Sequence, residues 1–238
     1  MISRRLFLAL TGAAILAPTA SWSADEVPAL LDHVLLGCND LDLGIAFVEE
    51  LTGVHAVIGG VHPGLGTRNA LLSLGERRYL EIIAPDPKQD TVKPYAVQQL
   101  TVIKELTTPR LIGWAAHPGD IEAFAERLRK QGIGIEGPWP GSRVRPDGRV
   151  LNWKTLILTD DRHGLLPFFI EWGANSVHPT ADAPAGCHLE RFGLADQDTV
   201  TLSRILQLLG IDMPVEHGER PQLRARIAGP KGAFEVSS

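Results

Sequence analysis

The chain has 238 residues, of which 44% are apolar and 21% charged, with a formal net charge of −5. That length can bury a sizeable core, and the modest charge excludes a disordered tail protein, a collagen or a coiled coil. The acidic balance argues against nucleic acid as a partner, and two cysteines are too few for a disulfide framework.

The first 24 residues differ from the rest. Ser3-Arg4-Arg5-Leu6-Phe7-Leu8 precedes an apolar run from Ala9 to Ala17 and a small-residue zone from Pro18 to Ser23. This is the layout of a secretory signal, and the run is shorter than the roughly 20 residues that span a bilayer. The arginine pair with Phe7 and Leu8 resembles a twin-arginine export signal, although Ala9 stands where a lysine is common. Residues 1–24 are therefore expected to be a removable leader, with an ordinary secretory signal or an uncleaved anchor as alternatives. The protein is then expected to be periplasmic or secreted, with no stable membrane association after cleavage. Removal of the leader leaves 21 basic residues against 28 acidic ones, a net charge of −7. Cys38 and Cys187 either pair in that oxidising compartment or remain buried thiols.

Beyond the leader the sequence repeats. Leu31–Asp40 aligns without gaps to Leu111–Asp120, each an apolar strand closed by an aspartate suited to cap a helix. Helical spacing follows at Leu43, Ala46, Phe47 and Leu51 in one copy and at Ile121, Phe124, Ala125 and Leu128 in the other, with stops at Gly53 and Gly132. Three strands are expected after each helix. In the first copy they are 56–61, 69–74 and 78–84, and in the second 133–139, 151–159 and 167–172, separated by Gly- and Pro-rich turns. The unit is β-α-β-β-β, present twice over residues 30–176. A linker, 177–186, leads to a C-terminal extension within residues 177–238. The extension has a strand at 188–194, a helix at 199–209 and a hairpin from 223–227 and 233–236, and reads as a truncated third β-α-β copy packing on the same domain. The fold class is α+β.

Polar residues inside apolar strands carry the chemistry. Glu81 shares a strand face with Tyr79 and Ile83, and Glu171 shares one with Phe169. Both lie in the last strand of their repeat, and His33 is the corresponding oddity in the first strand. A buried carboxylate needs a partner, a proton or a metal, unless each glutamate lies on the solvent side of a half-exposed sheet.

The paired units resemble the vicinal oxygen chelate superfamily, which includes glyoxalase I, extradiol dioxygenases, epimerases and antibiotic-resistance proteins. A closer resemblance is to its glyoxalase-like domain proteins. It rests on His62-Pro63-Gly64-Leu65-Gly66-Thr67-Arg68-Asn69, on Tyr79–Asp86, on Arg145-Pro146-Asp147-Gly148 with Leu151-Asn152-Trp153, and on Pro167–Trp172. The resemblance implies a half-open barrel cleft and a divalent metal, Mn, Mg, Fe or Zn, held by His33, Glu81 and Glu171. The fourth ligand position falls on Gly113, which has no side chain, and His117 lies further along the same face.

The stretch His62–Asn69 reads as a loop. It offers His62 as a base for proton abstraction, with Glu171 as a second catalytic candidate, and Thr67, Arg68 and Asn69 as groups for an oxygen-rich anionic substrate. Arg143 and Arg145 occupy a comparable stretch of the second copy, and Trp153 lines the cleft there. Tyr79, Trp114, Trp153 and Phe169 suggest a partly aromatic pocket. The expected function is a metal-dependent enzyme acting on a small oxygenated substrate by lyase, isomerase or dioxygenase chemistry, as a monomer or homodimer. The alternative is a metal-free protein that binds or sequesters a small molecule in the same cleft.

Overall fold

Both copies of the repeat begin with the same local device. After strand β1 (Leu31–Gly37), the Asp40 side chain accepts hydrogen bonds from the amides of Asp42 and Leu43 at 2.9 and 3.0 Å and starts helix α1 (Leu41–Thr52). After strand β5 (Arg110–Ala116), Asp120 does the same for Glu122 and Ala123, both at 3.0 Å, and starts helix α3 (Ile121–Lys130). Helix α1 ends on Gly53 at φ 79°, a left-handed turn that glycine adopts without strain. The structure, a computed structural model, describes residues 27–238 apart from Glu76 and Pro146; the expected leader, 1–24, falls outside the described residues.

The first copy continues with β2 (Val57–His62), β3 (Thr67–Ser73) and β4 (Tyr79–Pro85), and the second with β6 (Ile135–Val144), β7 (Val150–Leu158) and β8 (Phe168–Trp172). All eight strands join one curled sheet in the order β2-β3-β4-β1-β5-β8-β7-β6. In each copy the first strand runs parallel to the last, and β1 meets β5 antiparallel at the pseudo-twofold. This is the half-barrel expected from two β-α-β-β-β units. Helix α2 (Val97–Lys104), which the repeat did not foretell, joins the two copies and lies against β4.

The extension forms a second sheet from β9 (His188–Asp196), β10 (Val215–His217), β11 (Gln222–Gly229) and β12 (Gly232–Ser237), in the order β10-β9-β11-β12. Helix α4 (Thr199–Leu209) links β9 to its parallel partner β10, so the expected β-α-β unit is present, followed by a hairpin. Helix α1 packs against β11 and β12 as well as against β3 and β4, which puts it between the two sheets. Val34, Leu72, Trp114, Leu128, Phe169, Leu206 and Ile227 all belong to one continuous apolar core. Cys38 and Cys187 are both buried and free.

The linker does not simply bridge. It runs over the inner face of the first copy, where the Ser73 amide donates to the Pro184 carbonyl at 3.0 Å and Ala183 packs with Leu71, Tyr79 and Trp172. Because the two helix caps are equivalent, Asp40→Ala and Asp120→Ala should each cost about 1 kcal/mol in denaturant unfolding, while the asparagine variants keep most of the stability. Equal stability of both alanine variants and the wild type would show that the caps contribute nothing.

Candidate functional site

Strand register collects the polar side chains. Parallel pairing sets His33 opposite Tyr79 and Leu35 opposite Glu81, and the β2–β3 hairpin sets His62 opposite Thr67, two residues before Asn69. The His33 imidazole is the centre of the group. Its Nδ1 lies 2.7 Å from Asp32 Oδ1 and its Nε2 3.4 Å from Glu81 Oε2, while the Tyr79 ring stacks on it at 4.4 Å and Phe168 meets it edge-on at 5.4 Å. Glu81 Oε1 accepts from Asn69 Nδ2 at 2.6 Å and lies 3.4 Å from His62 Nε2. His62 Nδ1 is 2.9 Å from Thr67 Oγ1. Asp32 Oδ2 in turn accepts from Trp172 Nε1 at 3.1 Å and lies 3.3 Å from His178 Nε2 in the linker. His33, Thr67, Asn69 and Glu81 are buried, and the His62 side chain, at 12% exposure, is the most open part of this inner group.

Burial opposes every charge here, and the contacts decide which charges survive. Burial disfavours the His33 imidazolium, but hydrogen bonds to Asp32 and Glu81 outweigh it and raise its pKa to about 9. Burial pushes Glu81 up, but the His33 hydrogen bond, the charges of His62 and His33 and the Asn69 amide bring it down to about 2. Asp32 is held well below the usual carboxylate range by His178 and His33 against the same burial. His62 moves the other way: burial, helped by the charges of Arg143 and His33 and opposed by Glu81, lowers its pKa. At neutral pH the site therefore holds an imidazolium between two carboxylates, with a neutral imidazole on the far side of one of them.

The other expected residues divide. Glu171 does not join His33 and Glu81. Phe169 packs on Phe124 of α3 at 4.5 Å, and Glu171, two residues on and on the same face, accepts from the Ile121 amide at 2.8 Å at the start of that helix. Register gives the reason. Leu35 sits opposite Glu81, and its counterpart Ala115 sits opposite Phe168, so Glu171 lies three residues beyond the equivalent of Glu81 and faces the opposite way. Arg68 shares the helix-side face with Ala70 and Leu72, away from Thr67 and Asn69. Arg145 pairs with Asp182 of the linker at 2.8 Å, and Trp153 stands 5.8 Å from Trp172. Trp114 and Phe169 belong to the main core rather than to a pocket. His62 and Thr67 are strand residues, since only residues 63–66 form the turn between β2 and β3.

Sequence reasoning missed Asp32 and His178. Simple alternation puts Asp32 on the face opposite His33, but the β1–β5 pairing slips between Leu31 and His33. His178 stands in a linker with no periodicity to read.

The resemblance implies a divalent metal, but the residues present here do not assemble the implied centre. Of the three implied ligands only His33 and Glu81 meet, and they are committed to each other as an ion pair. Gly113 brings no donor, and a Cβ built on it would meet nothing within 4 Å. Among the described residues, no group of three or more His, Cys, Asp or Glu side chains is placed to hold a metal ion.

These shifts have a signed consequence for stability. The contribution of His33, raised from 6.5, is complete below pH 6.5 and is lost as pH rises towards about 9. That of Glu81, lowered from 4.5, is complete above pH 4.5 and is lost as pH falls towards about 2, and lowered His62 adds stability that is lost as pH falls below 6.5. Thermal melts across pH should therefore peak near neutrality and fall towards pH 9. A melting temperature that climbs from pH 7 to 9 would contradict the buried imidazolium.

Comparison with known proteins agrees with this architecture. The glyoxalase-like domain family matches residues 31–210. The crystal structure of a hypothetical protein from Staphylococcus aureus is similar at 19% identity and a TM-score of 0.60, over 87% of each chain. That of methylmalonyl-CoA epimerase from Mycobacterium tuberculosis matches at 20% identity and a TM-score of 0.43, over 63% of this chain and 91% of that one. No curated protein matches the sequence. The chain belongs to the glyoxalase-like domain family.

Proposed function

We propose that the chain is an enzyme that moves a proton on a small oxygenated substrate, in the manner of an isomerase or lyase, with His62 as the base. The observation that supports this most is the neutral His62 imidazole facing ionised Glu81 in a buried setting. A base must be unprotonated before the reaction and stabilised once it takes the proton. Burial supplies the first condition. Glu81, 3.4 Å from Nε2, supplies the second, because an arriving charge on the imidazole meets a carboxylate already fixed by Asn69 and His33. Nε2 lies beside Glu81 and the Asn69 amide, and Nδ1 beside the Thr67 hydroxyl, so both nitrogens have a polar neighbour through which the proton is held. The substrate this suits has a C–H acidified by a neighbouring carbonyl. The open space at Gly113, on the strand next to β1, leaves room on the cleft face. The dioxygenase form of the expectation draws no support from the donor set. Export of the protein, as residues 1–24 suggest, would put the reaction in the periplasm or outside the cell, and the N-terminal mass of the exported chain reads this out.

Solvent-deuterium incorporation into a panel of small ketones and 2-oxo and 3-oxo compounds, followed by NMR, tests the reading. Wild-type protein should exchange at least one of them, and His62→Gln should lower the rate about 100-fold or more. Tight binding without exchange would instead favour the sequestering alternative. Dialysis against Mn, Mg and Zn should leave the melting temperature and the exchange rate unchanged. A stoichiometric metal that is lost in His33→Ala would overturn the metal-free form of the proposal.

A further inference from the structure

We propose that Arg143 anchors a carboxylate of the substrate, so that the oxygenated compound is a small organic acid; this rests on the proton-transfer reading of the His62 site. Arg143 comes from β6 of the second copy and is 5% exposed. Among the described residues its one hydrogen bond runs from Nη1 to Asn69 Oδ1 at 3.3 Å, the amide whose nitrogen holds Glu81. Among the described residues no carboxylate lies within ion-pair distance of it. Its neighbours differ: Arg145 pairs with Asp182, and Arg149 with Asp147 and Asp182, at 2.6–3.0 Å. A guanidinium carries five N–H donors, and a buried cation left unpaired is costly. Arg143 thus has unused donors and no carboxylate in direct contact with it.

The fold makes room for that guanidinium. Strand β2 carries two consecutive glycines where it passes. A Cβ on Gly59 would collide with Asn69 Oδ1 and stand 2.8 Å from Arg143 Nη1, and one on Gly60, at φ 144°, would stand 3.1 Å from the same atom. Beside it lies an opening for a ligand. Arg143 sits opposite Leu151 in the β6–β7 ladder, and Leu151 lines a cavity of about 240 Å³ with Arg145, Arg149, Val150, Asn175 and Val177. Arg143 adjoins that cavity through Leu151, its cross-strand partner, and through Arg145, two residues further along the chain. The fork of the guanidinium matches the two oxygens of a single carboxylate.

The test measures binding rather than turnover. Thermal shift and calorimetry on the full chain, with pyruvate, acetoacetate and benzoate each set against its primary amide and against inorganic phosphate, separate the possibilities. At least one acid should bind where its amide does not. Arg143→Gln should weaken that acid tenfold or more, and Arg143→Lys, which keeps the charge and loses the fork, should fall between. Acids and amides that bind alike, or an Arg143→Gln protein that binds acids as the wild type does, would overturn the proposal. A response to phosphate alone would overturn the carboxylate assignment. The acid-against-amide comparison uses wild-type protein and stands even if Arg143→Gln fails to fold. Arginine-dependent acid binding without deuterium exchange would sink the proton-transfer reading and leave the anchor. Exchange on neutral ketones with no preference for acids would do the reverse.

Discussion

The site depends on one interaction, the His33 imidazole charged and buried between Asp32 and Glu81. An imidazolium in a dry interior needs both carboxylates, and each carboxylate then needs hydrogen bonds for its remaining lone pairs. Asp32 finds them on Trp172 at the end of β8 and His178 in the linker, and Glu81 on Asn69. The inner strand, the β2–β3 hairpin, the second copy and the linker are thus tied to a single ring. Truncating His33 would leave two buried anions facing each other, which is why the cluster stands or falls as a unit.

Duplication built the scaffold, and departure from symmetry built the chemistry. The first copy presents His33, His62, Asn69 and Glu81 to the cleft. The second presents Phe168 and Trp172, and turns its own glutamate outward to start a helix. Arg143 is the exception, reaching from the second copy into the polar cluster of the first. A pseudo-twofold closed into one half-barrel allows this division, because either half can lend a side chain to the other without its own strands moving.

The fold was legible because its signals are local and repeated. The aligned strands, the two capping aspartates and the glycine stops each report on a few neighbouring residues, and they recur at the same spacing. His33 and Glu81 were legible for a related reason, since polar side chains inside apolar strands have few places to go, whereas His62 stood out in a stretch read as a loop that proves to be the end of β2. Glu171 shows the boundary. Alternation put it beside Phe169, which holds, whereas equivalence with Glu81 depended on a register that the sequence does not carry. Asp32 and His178 were hidden for the same cause, one by a bulge and the other by a linker whose path is set by tertiary contacts. Arg143 was visible as a residue but not as a buried one, since its burial comes from a strand some 80 residues earlier.

Gly113 has a consequence for how this cleft can change over time. At most positions near a buried ion cluster a larger residue would have to displace a neighbour, so drift there is penalised before any new property appears. At Gly113 nothing lies within reach of an added Cβ. Mutation can therefore add a first side-chain carbon at that point without displacing a neighbour. The position is a point of evolutionary freedom in an otherwise constrained sheet, through which selection can retune the cleft without rebuilding the half-barrel that frames it.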